Sequence, residues 1–128
     1  MDTKLRVMLI DDSKTMRNIQ RTMLTQMGFE TLEEAQDGQD ALSKLGAFQP
    51  GLILCDWNMP NLDGLEFVKQ ARARGCTAPI IMVTTESEKT KVVTAIRAGV
   101  NNYVVKPFTQ DVLSARITET LSKTKAAA

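Results

Sequence analysis

Gly51-Leu52-Ile53-Leu54-Cys55-Asp56-Trp57-Asn58-Met59-Pro60-Asn61-Leu62-Asp63-Gly64 is the stretch whose reading decides the fold of this chain. Leu52 to Cys55 is a short, wholly apolar run, the pattern of a strand buried on both faces of a parallel sheet. It stops at a carboxylate, Asp56, and then meets Asn58, Pro60, Asn61 and Gly64, residues that end strands and build turns. An acid at the carboxyl end of a buried parallel strand stands on the edge where open α/β sheets hold their ligands. Taken alone, Asp56 reads as a turn former. The ends of the other strands decide otherwise.

Outward from this stretch the same pattern recurs. Leu5 to Ile10 is an apolar-rich run, interrupted by Arg6, that ends in Asp11-Asp12 and reads as the first strand. Ser13 supplies an N-cap, and Met16, Ile19, Met23, Leu24 and Met27 follow at helical spacing until Gly28 stops the helix. These methionines suit core filling better than ligation. Thr31 to Ala35 is polar enough to suit an edge strand rather than a central one. Asp37-Gly38 reads as a turn, and Ala41, Leu42 and Leu45 as a short amphipathic helix. Beyond the opening stretch, Leu65, Phe67, Val68 and Ala71 mark a helix that ends near Gly75. Ile80 to Val83 is another fully apolar strand, closing at Thr84-Thr85. Val92, Val93, Ala95, Ile96 and Ala98 mark a helix stopped by Gly99. Tyr103-Val104-Val105 is a fifth strand ending at Lys106-Pro107. Val112, Leu113, Ile117 and Leu121 mark the last helix, with Lys123 to Ala128 expected to fray.

Five strands thus alternate with five helices, and right-handed crossovers turn that order into a parallel sheet covered on both faces. A chain of 128 residues makes one domain, spanning 1–128, with no output domain expected. Hydrophobic residues are 43% and charged residues 24%, and 16 basic against 15 acidic side chains leave a formal charge of +1. That balance recommends neither nucleic acid nor membrane as a partner. The N-terminus Met1-Asp2-Thr3-Lys4 lacks the apolar core of a signal peptide, so a cytoplasmic location is expected. Cys55 and Cys76 have no paired or metal-ligand spacing and read as free thiols. Histidine is absent from the whole chain. Ser-His triads, His-ligated zinc and phosphohistidine on this chain are thereby excluded.

In a parallel sheet the residues at the strand ends, Asp11 and Asp12, Asp56, Thr84 and Lys106, fall on one edge. Each has a bland reading alone, since strand-end Asp and Thr are common turn formers and Lys is usually solvated. Their joint occurrence on four strands points to a site. Three clustered carboxylates repel one another and favour a divalent cation. With oxygen donors alone, the fitting ion is Mg²⁺, with Mn²⁺ as a substitute. Lys106 adds fixed positive charge and Thr84 a hydroxyl, which together suit a phosphoryl group. A carboxylate can serve as the nucleophile for such a group, and Asp56, on the central strand, is the best placed. The tandem Asp11-Asp12 suits the metal.

The pair Asp11-Asp12, the run Asp56-Trp57-Asn58-Met59-Pro60 with Asp63-Gly64, Met82-Val83-Thr84, and Tyr103-Val104-Val105-Lys106-Pro107-Phe108 together resemble the receiver domain of two-component response regulators. The likeness covers nearly the whole chain and is nearest to the stand-alone, CheY-like chemotaxis members, a family that is itself a familiar example of this sheet type. It implies a flavodoxin-like, doubly wound sheet of order 2-1-3-4-5 with five helices. It implies that Asp56 accepts phosphate from a histidine kinase of the chemotaxis type. Asp12, Asp56, the backbone carbonyl of Asn58 and waters held in part by Asp11 would coordinate Mg²⁺. Thr84 and Lys106 would bind phosphoryl oxygens, and a cis peptide would join Lys106 to Pro107. Thr84 and Tyr103 would form the switch, Tyr103 turning inward as Thr84 moves toward the phosphoryl group. The readout surface would be the helix after Thr84, the strand of Tyr103 and the last helix. On composition alone Tyr103 reads equally as an ordinary aromatic at a sheet margin.

The resulting expectation is a monomeric signalling switch acting on the flagellar motor switch protein, with a phosphatase as a possible further partner. A phosphorelay intermediate or phosphate sink is the alternative. The basic last helix of chemotaxis members is only partly present, because Glu119 intervenes between Arg116 and Lys123. A turnover phosphatase of the haloacid-dehalogenase kind also uses an Asp nucleophile with Mg²⁺, but needs a second Asp two residues later as acid–base. Asn58, an amide that cannot transfer that proton, stands there. The chain is therefore expected not to be a turnover enzyme, but a phosphoacceptor that promotes its own phosphorylation and slow dephosphorylation.

Overall fold

Alternating apolar runs set the architecture of the chain. A computed structural model describes residues 2–127, apart from the side chains of 125–127. In chain order the elements are β1 (Arg6–Ile10), α1 (Lys14–Gln26), β2 (Thr31–Ala35), α2 (Gly38–Phe48), β3 (Leu52–Cys55), α3 (Gly64–Ala73), β4 (Ile80–Thr84), α4 (Lys89–Ala98), β5 (Asn102–Val105) and α5 (Gln110–Ala127). The strands form one parallel sheet in the order β2-β1-β3-β4-β5. The polar β2 is an edge strand, and the fully buried β3 and β4 lie inside.

Successive residues of a strand point to opposite faces, so each central strand feeds two cores. Met8, Ile10, Ile53, Cys55, Ile80 and Met82 pack against Ala41 and Leu42 of α2, Phe67 and Val68 of α3, and Ala95 of α4. The alternate residues Val7, Leu9, Leu52, Leu54, Ile81 and Val83 pack on the other face against Leu24 of α1 and Leu113 and Ile117 of α5. The sheet is thus covered on both sides, as the apolar runs required.

Helix ends follow local chemistry. Ser13 caps α1, its hydroxyl accepting the Met16 N–H at 3.1 Å. At its other end Gly28 takes φ +104°, and the Phe29 N–H returns to the Leu24 carbonyl. Asp37-Gly38 is not a free turn but the start of α2, with the Asp37 carboxylate accepting the Asp40 N–H at 2.7 Å. The C-terminal stretch expected to fray from Lys123 continues as helix to Ala127, while Ala128 lies outside the described residues.

Two helices depart from the simple pattern. In α1, Ile19 is 41% exposed and Gln20 is buried instead, because the helix presents the Gln20–Leu24 side to the sheet. In α4 only Ala95 is buried, leaving Val93 and Ile96 exposed. Its first turn carries Lys89 and Lys91 with no acid, and Glu88 makes no side-chain cap bond. Its far end is firmly held: the Arg72 guanidinium donates to the Gly99 carbonyl at 2.8 and 3.2 Å, and also to those of Cys76 and Ala78.

Gly64, the first residue of α3, lies so close to β3 that a Cβ there would press into the backbone carbonyl of Asp56. Its N–H donates to the Trp57 carbonyl at 2.8 Å, closing the loop between them. Gly64→Ala should therefore cost about 3 kcal/mol, the upper end for overpacking, because the clashing atom is main chain. Urea denaturation measures this, and an unchanged midpoint would show that the loop can yield.

Candidate functional site

The sheet ladder extends into the predicted site and fixes its backbone. The Asp11 N–H donates to the Ala35 carbonyl, Asp56 to Ile10, and Lys106 to Thr84, at 3.1, 2.9 and 2.8 Å. Each residue predicted at a strand end is thereby delivered to the same edge. The Lys106–Pro107 peptide is cis, as the resemblance implied.

The side chains converge. Lys106 Nζ lies 2.8 Å from Asp11 Oδ2 and 3.2 Å from Asp56 Oδ2. The other oxygen of Asp11 accepts the Ser13 N–H at 2.9 Å, and that of Asp56 accepts the Trp57 N–H at 2.7 Å. Asp11 and Asp56 are buried and Asp12 is exposed, yet one oxygen from each of the three lies within 4.8 Å of the others. Two carboxylates at that separation repel by about 3 kcal/mol at an effective dielectric of about 20. One ammonium against three carboxylates leaves the cluster short of positive charge. Burial works to depress the Lys106 pKa, but the hydrogen bond to Asp11 and the nearby charges of Asp56 and Asp11 outweigh it and raise it. The ammonium is therefore permanent at neutral pH.

The donor set suits a hard divalent cation. It is made of carboxylate oxygens, with no imidazole in the chain. The nearby thiol of Cys55 is pushed far above its ordinary pKa, by burial first and by the Asp56 and Asp11 charges next, so it stays protonated and is no competing soft ligand. The site lies at the carboxyl edge of the sheet. A cleft of about 500 Å³, lined by Leu5, Gly51, Pro79 and Leu121 among others, lies at the opposite edge, where the strands begin.

Thr84 is fully buried at the end of β4, its hydroxyl 3.4 Å from the Glu86 N–H. The Tyr103 hydroxyl donates to the Glu86 carbonyl at 2.7 Å. Asn58, exposed, donates its side-chain amide to Glu86 Oε1 at 3.0 Å. Glu86 thus touches three predicted residues at once, a role that its position two after Thr84 does not by itself disclose. Lys91, from the first turn of α4, sits 5.1 Å from the centre of the Trp57 ring.

Residues 7–118 match the family model of the response regulator receiver domain, and the chain belongs to that family. Among curated relatives it is 46% identical over 116 residues to the "Chemotaxis protein CheY1" of Helicobacter pylori, spanning 88% of this chain and 94% of the relative. It is 44% identical over 120 residues to the "Chemotaxis protein CheY homolog" of Campylobacter jejuni, spanning 91% and 92%. Among solved structures, Vibrio cholerae chemotaxis protein CheY4 superposes with a TM-score of 0.86 at 32% identity, covering 91% of this chain and 98% of that one. A CheY-like receiver domain protein from Methanospirillum hungatei shares the fold, with a TM-score of 0.89 at 24% identity over 98% of this chain and 99% of that one.

Tyr103 is the sole tyrosine, and its phenol is raised from 10.0 to about 12, by burial first and then by the charges of Glu86 and Asp56. Phenolate absorbance in chelator should therefore rise near pH 12 for the native protein and near 10 in urea. A raised acid pKa means stability present below pH 10 and lost as pH climbs from 10 to about 12. Coincident titrations would show the phenol to be solvated. A second outcome concerns charge crowding: in chelator, Asp12→Ala should raise the melting temperature by roughly 2 °C through relief of repulsion. A fall would mean that Asp12 is held by favourable contacts.

Proposed function

We propose that the chain is a phosphorylation-activated switch that takes a phosphoryl group onto Asp56 from the phosphohistidine of a chemotaxis-type histidine kinase. The observation that carries this reading is the Lys106 ammonium bridging Asp11 and Asp56 inside a cluster of three carboxylates. Asp56 is oriented by the Trp57 N–H on one oxygen, which leaves the other toward the cluster. A carboxylate oxygen of Asp56 attacks phosphorus, the P–N bond to the kinase imidazole breaks, and the imidazole leaves with that electron pair. Lys106 and the Thr84 hydroxyl then hold phosphoryl oxygens. Asp11, Asp12, Asp56 and the Asn58 carbonyl would hold Mg²⁺, with Mn²⁺ as a substitute, and the bound cation supplies charge neutralisation for the transferring group.

Drawing the Thr84 hydroxyl toward a phosphoryl group would disturb its neighbour Glu86, and with it the carbonyl that anchors Tyr103. A local charge change is thereby converted into repacking at β5. The protein is not a turnover hydrolase on this reading. Asn58, in the place of an acid–base Asp, spends its amide on Glu86. The aspartyl phosphate is therefore a signal with a lifetime rather than a fleeting intermediate.

For output, the names of the relatives and the α4–β5–α5 face favour the flagellar motor switch protein. That face exposes Val93, Ile96, Val105 and Val112. Glu119 pairs with both Arg116 and Lys123, at 3.3 and 3.5 Å, and so tempers the basic character of α5.

Incubation with acetyl phosphate and Mg²⁺ should add one phosphate by intact mass, and Asp56→Asn should abolish the adduct. An adduct that survives the substitution would move the acceptor elsewhere. An N-terminal peptide of the motor switch protein should bind more tightly once the chain is phosphorylated. Equal affinity in both states would favour the phosphorelay or phosphate-sink alternative.

A further inference from the structure

The loop from Trp57 to Asp63 carries both the N–H that orients Asp56 and the Asn58 carbonyl proposed for the metal. Its middle is tied to a helix, α2, that contributes nothing to the acidic cluster. The Asp37 carboxylate is 4% exposed and divides its two oxygens. Oδ1 accepts the Asp40 N–H at 2.7 Å and so caps α2. Oδ2 accepts the side-chain amide of Asn61, also at 2.7 Å, across to the loop. Beside it the Gly38 N–H donates to the Leu62 carbonyl at 3.0 Å. A Cβ at Gly38 would lie 2.6 Å from that carbonyl, so the two backbones meet in direct contact.

Asn61 sits at φ +67°, in the left-handed region, which a residue with a side chain enters at a cost. The bond to a buried carboxylate helps to offset that cost. Chiefly the hydrogen bond from the Asp40 N–H, and then that from Asn61, hold the Asp37 carboxyl below its ordinary pKa, so the clamp is charged at neutral pH. The loop is then tied at Trp57 by Gly64, at Asn61 by Asp37 and at Leu62 by Gly38. Between these ties lie only Asn58, Met59 and Pro60.

We infer that Asp37 and Asn61 are positioning residues of the phosphoacceptor site: their hydrogen bond fixes the β3–α3 loop from α2, and so sets how well the Asn58 carbonyl serves the metal. This rests on the metal reading proposed above. Removal of an outer partner that orients a ligand weakens metal binding by roughly 10-fold. Neither residue belongs to the cluster, and α2 is fixed independently by its core residues Ala41 and Leu42.

The test uses Mg²⁺ alone, followed by fluorescence of Trp57, the sole tryptophan. Asn61→Asp sets two carboxylates against each other, and should weaken Mg²⁺ binding roughly 10-fold although the added charge by itself attracts the cation. Asn61→Gly suits the positive φ, which offsets part of the lost hydrogen bond, so the fold should melt only a few degrees lower in chelator while Mg²⁺ affinity falls. The swapped pair Asp37→Asn with Asn61→Asp keeps the net charge, the α2 cap and the hydrogen bond, and should restore affinity. In metal-free protein, the Gly38 and Gly64 amides should exchange faster in Asn61→Asp and recover in the swapped pair.

Wild-type Mg²⁺ affinity in both single variants would overturn the inference, as would failure of the swapped pair to recover. A flat titration of the wild-type protein would overturn the metal reading, and the inference with it. The two failures are thus told apart.

Discussion

The Lys106 ammonium, 2.8 Å from Asp11 and 3.2 Å from Asp56, closes a triangle between the ends of β1, β3 and β5. No local preference brings these residues together. They are separated by 95 and 50 positions in the chain, and the two acids repel each other. What holds them is the sheet, whose backbone ladder runs through Asp11, Asp56 and Lys106 themselves. The two apolar cores supply the free energy, and the site draws on it to keep like charges close. A cluster assembled in this way is under electrostatic stress before anything binds, so a cation entering it would have little to reorganise.

Glu86 connects that stressed corner with the rest of the molecule. Its N–H faces Thr84, its carbonyl holds Tyr103, and its carboxylate holds Asn58. Local events at Thr84 and at Asn58 therefore reach the same residue. The Tyr103 hydroxyl is committed to a backbone acceptor, so movement of that segment must carry the aromatic ring or release it.

Much of this was legible in the sequence, for identifiable reasons. Parallel central strands are apolar throughout, so Leu52–Cys55 and Ile80–Val83 declare themselves, and the polar residues that end such runs must lie on one edge. The cluster of Asp11, Asp12, Asp56 and Lys106 could thus be assembled without coordinates. Rotation of a helix about its axis is less visible. Ile19 and Gln20 both fit an α1 pattern, and only packing shows that Gln20 is the buried one. Likewise Val93 and Ile96 look like core residues until α4 is seen to bury Ala95 alone. The Asp37–Asn61 bond was hidden because a DG pair reads as a turn whatever its partners. Nothing in the sequence marks Glu86 as the residue on which three side chains converge.

α4 is held very unequally along its length. At its C-terminal end the Arg72 guanidinium grips the Gly99 carbonyl through two nitrogens. At its N-terminal end there is no side-chain cap, two lysines oppose the helix dipole, and the contact toward the site is Lys91 above the Trp57 ring. A rod pinned at one end and lightly rested at the other behaves as a cantilever. Displacement near Trp57 and Glu86 would meet less resistance there than at Gly99, and would carry the exposed Val93 and Ile96 with it. Where α4 is anchored therefore governs how its exposed face would respond to any change at the acidic cluster.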